Sequence, residues 1–331
     1  MHGLYLLWWV QERQLSAPVV ATILAAGDLA LLCLEVPTGW FADRYGHRTS
    51  LIAGSLVQVL GMVFCWLGRG IPDLIAASVL VALGDAFRSG ADQALLYRTC
   101  QALDCEATFQ RIEARTRAVE LAALVGLVLA GGAIVETWGF SIGWIVEAAM
   151  SAAGLGIACV MKEPPACLGE PADAPRVETM APRIMVLLIL PAAFLGGVSG
   201  AASFLAQTAG RGDPAIMTLL VAGITLAESA GSTLAMRLPS VSVGGQTILA
   251  TAGVLLIGIG LALPSTFLSV VVALSFLLGI AHPLRAAAIQ RLAADAARAR
   301  AASVASACDM AFTMIALPLA GFWRVKSPRR K

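Results

Sequence analysis

Apolar runs long enough to cross a bilayer follow one another along this 331-residue chain, separated by short polar breaks. They cover about 17–41, 50–68, 72–97, 115–136, 139–161, 183–207, 214–236, 246–263, 265–288 and 301–323. About 20 apolar residues suffice for a transmembrane helix, and a helix satisfies its own backbone polar groups where no water is present. The pattern predicts an all-α, polytopic membrane protein. Residues 1–10 (MHGLYLLWWV) add an apolar fragment too short to span. No charged n-region or small-residue cleavage site accompanies it, so a signal peptide is not expected.

The polar interval from Lys162 to Arg183 contains Pro164, Pro165, Pro171, Pro175 and Pro182 among scattered charges. Such a stretch cannot bury a core and reads as a linker. A weak repeat supports a division there: Gly84 corresponds to Gly279, and Arg111 to Gly132 corresponds to Arg300 to Gly321, at spacings close to 190 residues. The predicted organisation is an N-terminal helical bundle (1–161), a cytoplasmic linker (162–182), a C-terminal helical bundle (183–323) and a basic tail (324–331). Placing the loop around Asp43 inside puts 14 of the 23 Lys and Arg on the cytoplasmic side and three outside, as the positive-inside rule requires. Localisation is accordingly the cell inner (plasma) membrane, multi-pass. The tail RVKSPRRK falls on the wrong side in this topology. Either the last span fails to cross or the tail stands where a further helix would be.

Composition changes little except by exclusion. Hydrophobic residues make up 58% and charged residues 13%, with a mean hydropathy of +0.81; soluble domains carry about 25% charge. The net charge of +2 is dispersed among loops, so no nucleic-acid partner is expected. The seven cysteines (33, 65, 100, 105, 159, 167, 308) fall mostly in apolar segments without paired histidines and read as small hydrophobes, not metal ligands. Nucleophile-elbow, zinc-protease and phosphate-loop patterns are missing from the sequence. No enzymatic activity, cofactor or ATP-driven step is expected.

The densest polar information lies in Glu35 to Thr49, EVPTGWFADRYGHRT, read as a tight charged turn of about eight polar residues between two apolar helices. Gly39-xxx-Asp43-Arg44-x-Gly46-x-Arg48 resembles the loop between the second and third helices of the major facilitator superfamily. His47 and Thr49 depart from the basic residues usual there. The resemblance implies a two-bundle transporter fold with about eleven transmembrane helices here, the first partial and the twelfth absent, hence a chain truncated at both ends against the twelve-helix pattern. It also implies that the loop latches the inward gate, with Asp43 as the gate carboxylate and Arg44 and Arg48 as its basic partners.

Charges at membrane depth cost roughly 2.5–3.5 kcal/mol each, so each needs a partner or a purpose. Asp85, Arg88 and Asp92, at i, i+3 and i+7, fall on one face of a helix, with Gln93 beside them. They form either a structural ion network or a site for protons or a cationic solute. The resemblance places this helix at the central cavity. GDAFRSGADQALLYRT is similar to a stretch of several exporting facilitators, with Arg98 where an acid often stands. Asp28, Glu35, Glu120, Glu147, Glu228 and Asp309 are further acids within spans, open between packing and solute handling, and Gln207 is a weaker solute candidate. His282-Pro283 predicts a helix break, with Arg285 just beyond it. The expected function is secondary transport of a small organic solute by alternating access, as proton-coupled drug or metabolite efflux, by a monomer whose partners are solute, protons and lipid. The alternative is a non-transporting sensor or binding module, or an inactive truncated relative, on the same scaffold.

Overall fold

In a computed structural model of the protein, the residues described are 8–9, 12–164, 186, 188–199, 214–239, 243–293 and 298–326. Among them every long element is helical. These are α1 (Ala17–Tyr45), α2 (His47–Leu67), α3 (Ile71–Arg88), α4 (Ala91–Ala102), α5 (Phe109–Trp138) and α6 (Phe140–Val160). Then come α7 (Leu188–Ser199), α8 (Pro214–Ala235), α9 (Val243–Ala262), α10 (Phe267–Leu292) and α11 (Arg298–Lys326). Five segments are long and apolar enough to cross a membrane: Thr22–Tyr45, His47–Leu67, Ile71–Ala102, Phe140–Val160 and Phe267–Leu292. Most of the linker, Gln207 and the last residues of the basic tail lie outside the described residues.

Three sequence expectations are corrected. The eight-residue polar turn is a single residue, Gly46, because the helix continues through Pro37 and Gly39 to Tyr45. Gly46 has φ +99°, a conformation in which a Cβ would be strained, and it reverses the chain alone. Asp43 and Arg44 therefore ride on the last turn of α1, and His47 and Arg48 on the first turn of α2. The single span at 72–97 breaks after Arg88, where Gly90 adopts the left-handed φ of +73°. Asp85 and Arg88 thus belong to α3 and Asp92 to α4, and the one-face arrangement of the three does not form.

The third correction concerns Pro283, where α10 runs unbroken from Phe267 to Leu292. A proline lacks the N–H that would bond the carbonyl four residues back, here that of Gly279. The Ser232 hydroxyl on α8 donates to that carbonyl at 3.0 Å, so the missing donor is supplied from a neighbouring helix. The approach is close: a Cβ on Gly279 would overlap the Glu228 backbone carbonyl. Only two helix backbones in near contact place a serine there, a packing that small residues permit in membranes.

The helices fall into two compact units. The first comprises Met1–Glu106, Gly126–Thr179 and Ala293–Ala307, and its apolar centre includes Trp8, Trp9, Ile23, Met62, Leu74 and Trp144. Trp8 and Trp144 meet edge to face with centroids 5.1 Å apart, and Arg13 lies over Trp8 while donating to the Gly68 carbonyl at 2.8 Å. The second unit comprises Ala107–Val125, Met180–Leu292 and Cys308–Lys331, with Leu195, Val270, Leu274 and Ala281 at its centre.

Replacing Ser232 by alanine is expected to cost about 1 kcal/mol or more, the usual penalty for orphaning a buried acceptor. In a Pro283→Ala background the same change is expected to cost less than about 0.5 kcal/mol, since residue 283 then supplies its own N–H. Thermal unfolding in detergent of the four proteins measures the coupling.

Candidate functional site

The Asp43 carboxylate is set against the first turn of α11. It accepts from the backbone N–H of Ala299 at 3.0 Å, from that of Arg300 at 3.3 Å and from the Arg300 Nε at 3.0 Å. Its side chain is only 5% exposed. A helix start has free N–H groups and a partial positive charge, so an anion there is doubly favoured. Local sequence brings α1 close enough: a Cβ on Gly39 would fall 2.7 Å from Ser303 Oγ and 3.1 Å from Arg300 Cα. Gly90 plays the same part on the other side, where a Cβ would lie 2.8 Å from Ala302 Cβ. Arg298 completes the dock by lying over Tyr97 and donating to Gln101 Oε1 at 2.8 Å.

The basic partner of Asp43 is therefore Arg300, distant in sequence, and not Arg44 or Arg48. The Arg44 guanidinium lies 5.7 Å from the Trp40 ring centre and 5.9 Å from that of Tyr45. Arg48 donates through a terminal nitrogen to the Cys159 carbonyl at 2.6 Å. A second carboxylate, Glu163, was not singled out from sequence. It accepts from the backbone N–H groups of His47 and Arg48, each at 2.8 Å, and from Arg98 at 3.3 Å. Glu163 thus caps α2 as Asp43 caps α11, and Arg98 finds its acid here. The available signal was the position of Glu163 at the end of an apolar span, directly before Pro164 and Pro165.

The remaining acids separate into distinct environments. Glu35 is 1% exposed and accepts from the Ser306 hydroxyl at 2.6 Å. Asp28, read as an acid within a span, is exposed on α1. Gln58 on α2 joins Asp85 and Arg88: Arg88 donates to Gln58 Oε1 at 2.6 Å, Gln58 donates to Asp85 at 3.3 Å, and the Arg88–Asp85 separation is 4.0 Å. Asp92 instead accepts from the Gln93 backbone N–H at 2.7 Å at the start of α4.

In the second unit, Arg117 on α5 donates to Glu228 on α8 at 2.9 Å and to Glu120 at 3.2 Å. The Ser229 hydroxyl, donating to the Ala118 carbonyl at 2.9 Å, fixes the register of those two helices. Arg285 on α10 holds Asp309 on α11 through both guanidinium ends, at 2.6 and 2.5 Å. His282 sits one turn before Arg285 and within electrostatic reach of both Arg117 and Arg285. Its Nδ1 has no hydrogen-bond partner among the described residues. The structure thus gathers Glu120, Glu228, His282 and Asp309 around two arginines, of which the sequence had drawn attention only to Arg285, beside the His282-Pro283 pair. Arg117 and Arg285 lie at helix positions where an isolated cation would be costly, and that cost was the overlooked signal. No group of three or more potential ligands that could hold a metal ion occurs among the described residues.

Removing one partner of a buried ion pair typically costs about 3–5 kcal/mol, and Asp43→Ala is expected to fall near that range. A double-mutant cycle of Asp43→Ala with Arg300→Ala is expected to show coupling of about 1 kcal/mol or more, whereas cycles with Arg44→Ala or Arg48→Ala are expected to stay within about 0.5 kcal/mol. Unfolding midpoints in detergent give the coupling energies directly.

No protein-family profile matches the chain, and no curated protein matches it. Solved structures do. The E. coli fucose:proton symporter FucP superposes with a TM-score of 0.77 at 14% identity, covering 97% of this chain and 87% of that one. A bacterial homologue of the iron transporter ferroportin, in an outward-facing state with soaked iron, gives 0.69 at 16% identity over 93% and 83%. The proton:xylose symporter XylE of the major facilitator superfamily, bound to 6-bromo-6-deoxy-D-glucose, gives 0.70 at 12% identity over 96% and 82%. Sequence motif and three-dimensional likeness converge, and the chain has the all-helical fold of the major facilitator transporters.

Proposed function

We propose that the chain is a secondary transporter that moves a small organic solute across the cell inner membrane by alternating access, exporting a drug or metabolite against proton entry. The observation that carries the reading is the pair of charged clusters Glu120–Arg117–Glu228 and Arg285–Asp309. A carboxylate held by an arginine inside a membrane protein can exchange that arginine for a proton, and the freed guanidinium can then meet a solute. Neutralising Asp309 releases Arg285, and neutralising Glu228 leaves Arg117 held by the more exposed Glu120 alone, both within electrostatic reach of His282. On this reading Glu228 and Asp309 carry the coupling, with exposed Asp28 and buried Glu35 serving the other unit.

Alternating access also needs an element that holds one state. Asp43 on the free N–H groups of α11 suits that role, because the contact is strong yet rests on one carboxylate and one short segment. The moving bodies in this reading are residues 1–161 and 183–323, joined by the linker, in a monomer. The proton coupling agrees with two of the similar structures, both proton symporters; the export direction rests on the resemblance of Gly84–Thr99 to a stretch of exporting facilitators.

Purified protein in liposomes preloaded with a panel of fluorescent solutes is expected to move at least one of them when a pH gradient is imposed, and to stop when the gradient is dissipated. Glu228→Gln and Asp309→Asn are expected to abolish the response to the gradient, while Glu147→Gln leaves it unchanged. Absence of gradient-driven movement in either direction across the panel would favour a non-transporting binding or sensor module on the same scaffold.

A further inference from the structure

A cleft of about 300 Å³ opens in the first unit between α2, the end of α3 and α6. Its polar side is formed by Ser55, Gln58 and Arg88, and its apolar side includes Leu51, Met150 and Ile157. The cleft that Arg88 lines is formed by residues of α2, the end of α3, and α6 with its C-terminal end. Three independent observations describe what could fill it.

The first is charge. The Arg88 side chain is 48% exposed, and its hydrogen bond among the described residues goes to Gln58 Oε1 at 2.6 Å, with Asp85 at the outer limit of an ion pair, 4.0 Å away. A guanidinium has five N–H donors in a fork suited to a carboxylate or phosphate, so most of its donor capacity is left facing the cleft. The second is space. A Cβ added at Gly154, on the wall opposite, would meet nothing within 4 Å. The third is surroundings: Met150 and Ile157 of the lining are exposed, and the helices that carry the cleft have further exposed apolar residues, Leu56 and Leu60 on α2 and Ile145 on α6. In a membrane-spanning chain such a face meets acyl chains, not water. The volume lies at the low end for ligand sites, fitting one chain and not a whole two-chain lipid.

We propose that this cleft binds a single-chain anionic amphiphile drawn from the surrounding bilayer, its carboxylate or phosphate head on Arg88 and Gln58 and its apolar tail along Leu51, Met150 and Ile157. The ligand adds an anion closer to Arg88 than Asp85, which stands 4.0 Å away, and fills the gap at Gly154. Occupancy there is separate from solute transport and does not depend on it.

Native mass spectrometry of the full chain in neutral detergent, titrated with palmitate, tests this. A single saturable adduct is expected. Arg88→Gln is expected to weaken it by about tenfold or more, the value of one charged hydrogen-bonded contact, and to erase the preference for palmitate over hexadecanol. Gly154→Leu, whose side chain enters open space, is expected to fold with an unchanged melting temperature and to block both ligands. Palmitate adducts unaffected by both substitutions would overturn the proposal, as would no saturable adduct in the wild type. Butyrate binding as tightly as palmitate would overturn the bilayer source and make the cleft a site for soluble anions.

Discussion

A helix that begins inside or at the edge of a bilayer exposes N–H groups that water cannot fully satisfy, and this protein answers that constraint with carboxylates. Asp43 accepts from the first N–H groups of α11, Glu163 from those of α2, and Asp73 from the N–H groups of Arg69 and Gly70 at the start of α3. The third is a local cap within one turn. The first two reach across 256 and 116 residues of chain. Each therefore does two things at once: it satisfies a helix end and ties a distant segment to it. The dock of α11 on α1, with Gly39 and Gly90 admitting the close approach, follows from that requirement.

The same constraint explains how proline is tolerated. Pro283 removes a donor from the middle of α10, yet the helix stays straight enough to remain one element because Ser232 replaces the donor from α8. The substitution works only where α8 and α10 nearly touch, which Gly279 allows. Buried charge is handled alike. Arg117 and Arg285 would each be costly alone in this setting, and each is held by a carboxylate from another helix, Arg117 also by Glu120 on its own. A network of that kind is both a structural clamp and a place where one proton can change the charge balance. Arg88 is the exception among the membrane-depth arginines described here: its neighbours neutralise it only partly, and it faces a cleft.

Much of the architecture could be read in the sequence because hydropathy is a local property. The runs from Ala17 onward located most of the described helices, although the run at 72–97 is split at Gly90 and α5 begins at Phe109, ahead of its run, and the spacing of Gly39, Asp43, Arg44, Gly46 and Arg48 marked a turn where α1 meets α2. The misreadings share one cause. The sequence suggested a polar loop of about eight residues around Asp43, a helix break at Pro283, and a shared face for Asp85, Arg88 and Asp92 because their spacing allows it. Each depends on a neighbour that sequence does not name: the single-residue reversal at Gly46, the Ser232 hydroxyl, and the α11 backbone packed on Gly90.

What the sequence alone determined is that the chain is helical and membrane-embedded, and that its Asp43 turn resembles the major facilitator gate, because solvent preference and turn chemistry are written residue by residue. The pairing of charges was settled only in three dimensions. Asp43 meets Arg300 and not the arginines beside it, Arg98 meets Glu163, Arg117 meets Glu228 and Arg285 meets Asp309. Coulomb attraction and hydrogen bonding act over a few ångströms of space, and helix packing decides which residues, however far apart along the chain, come within that range.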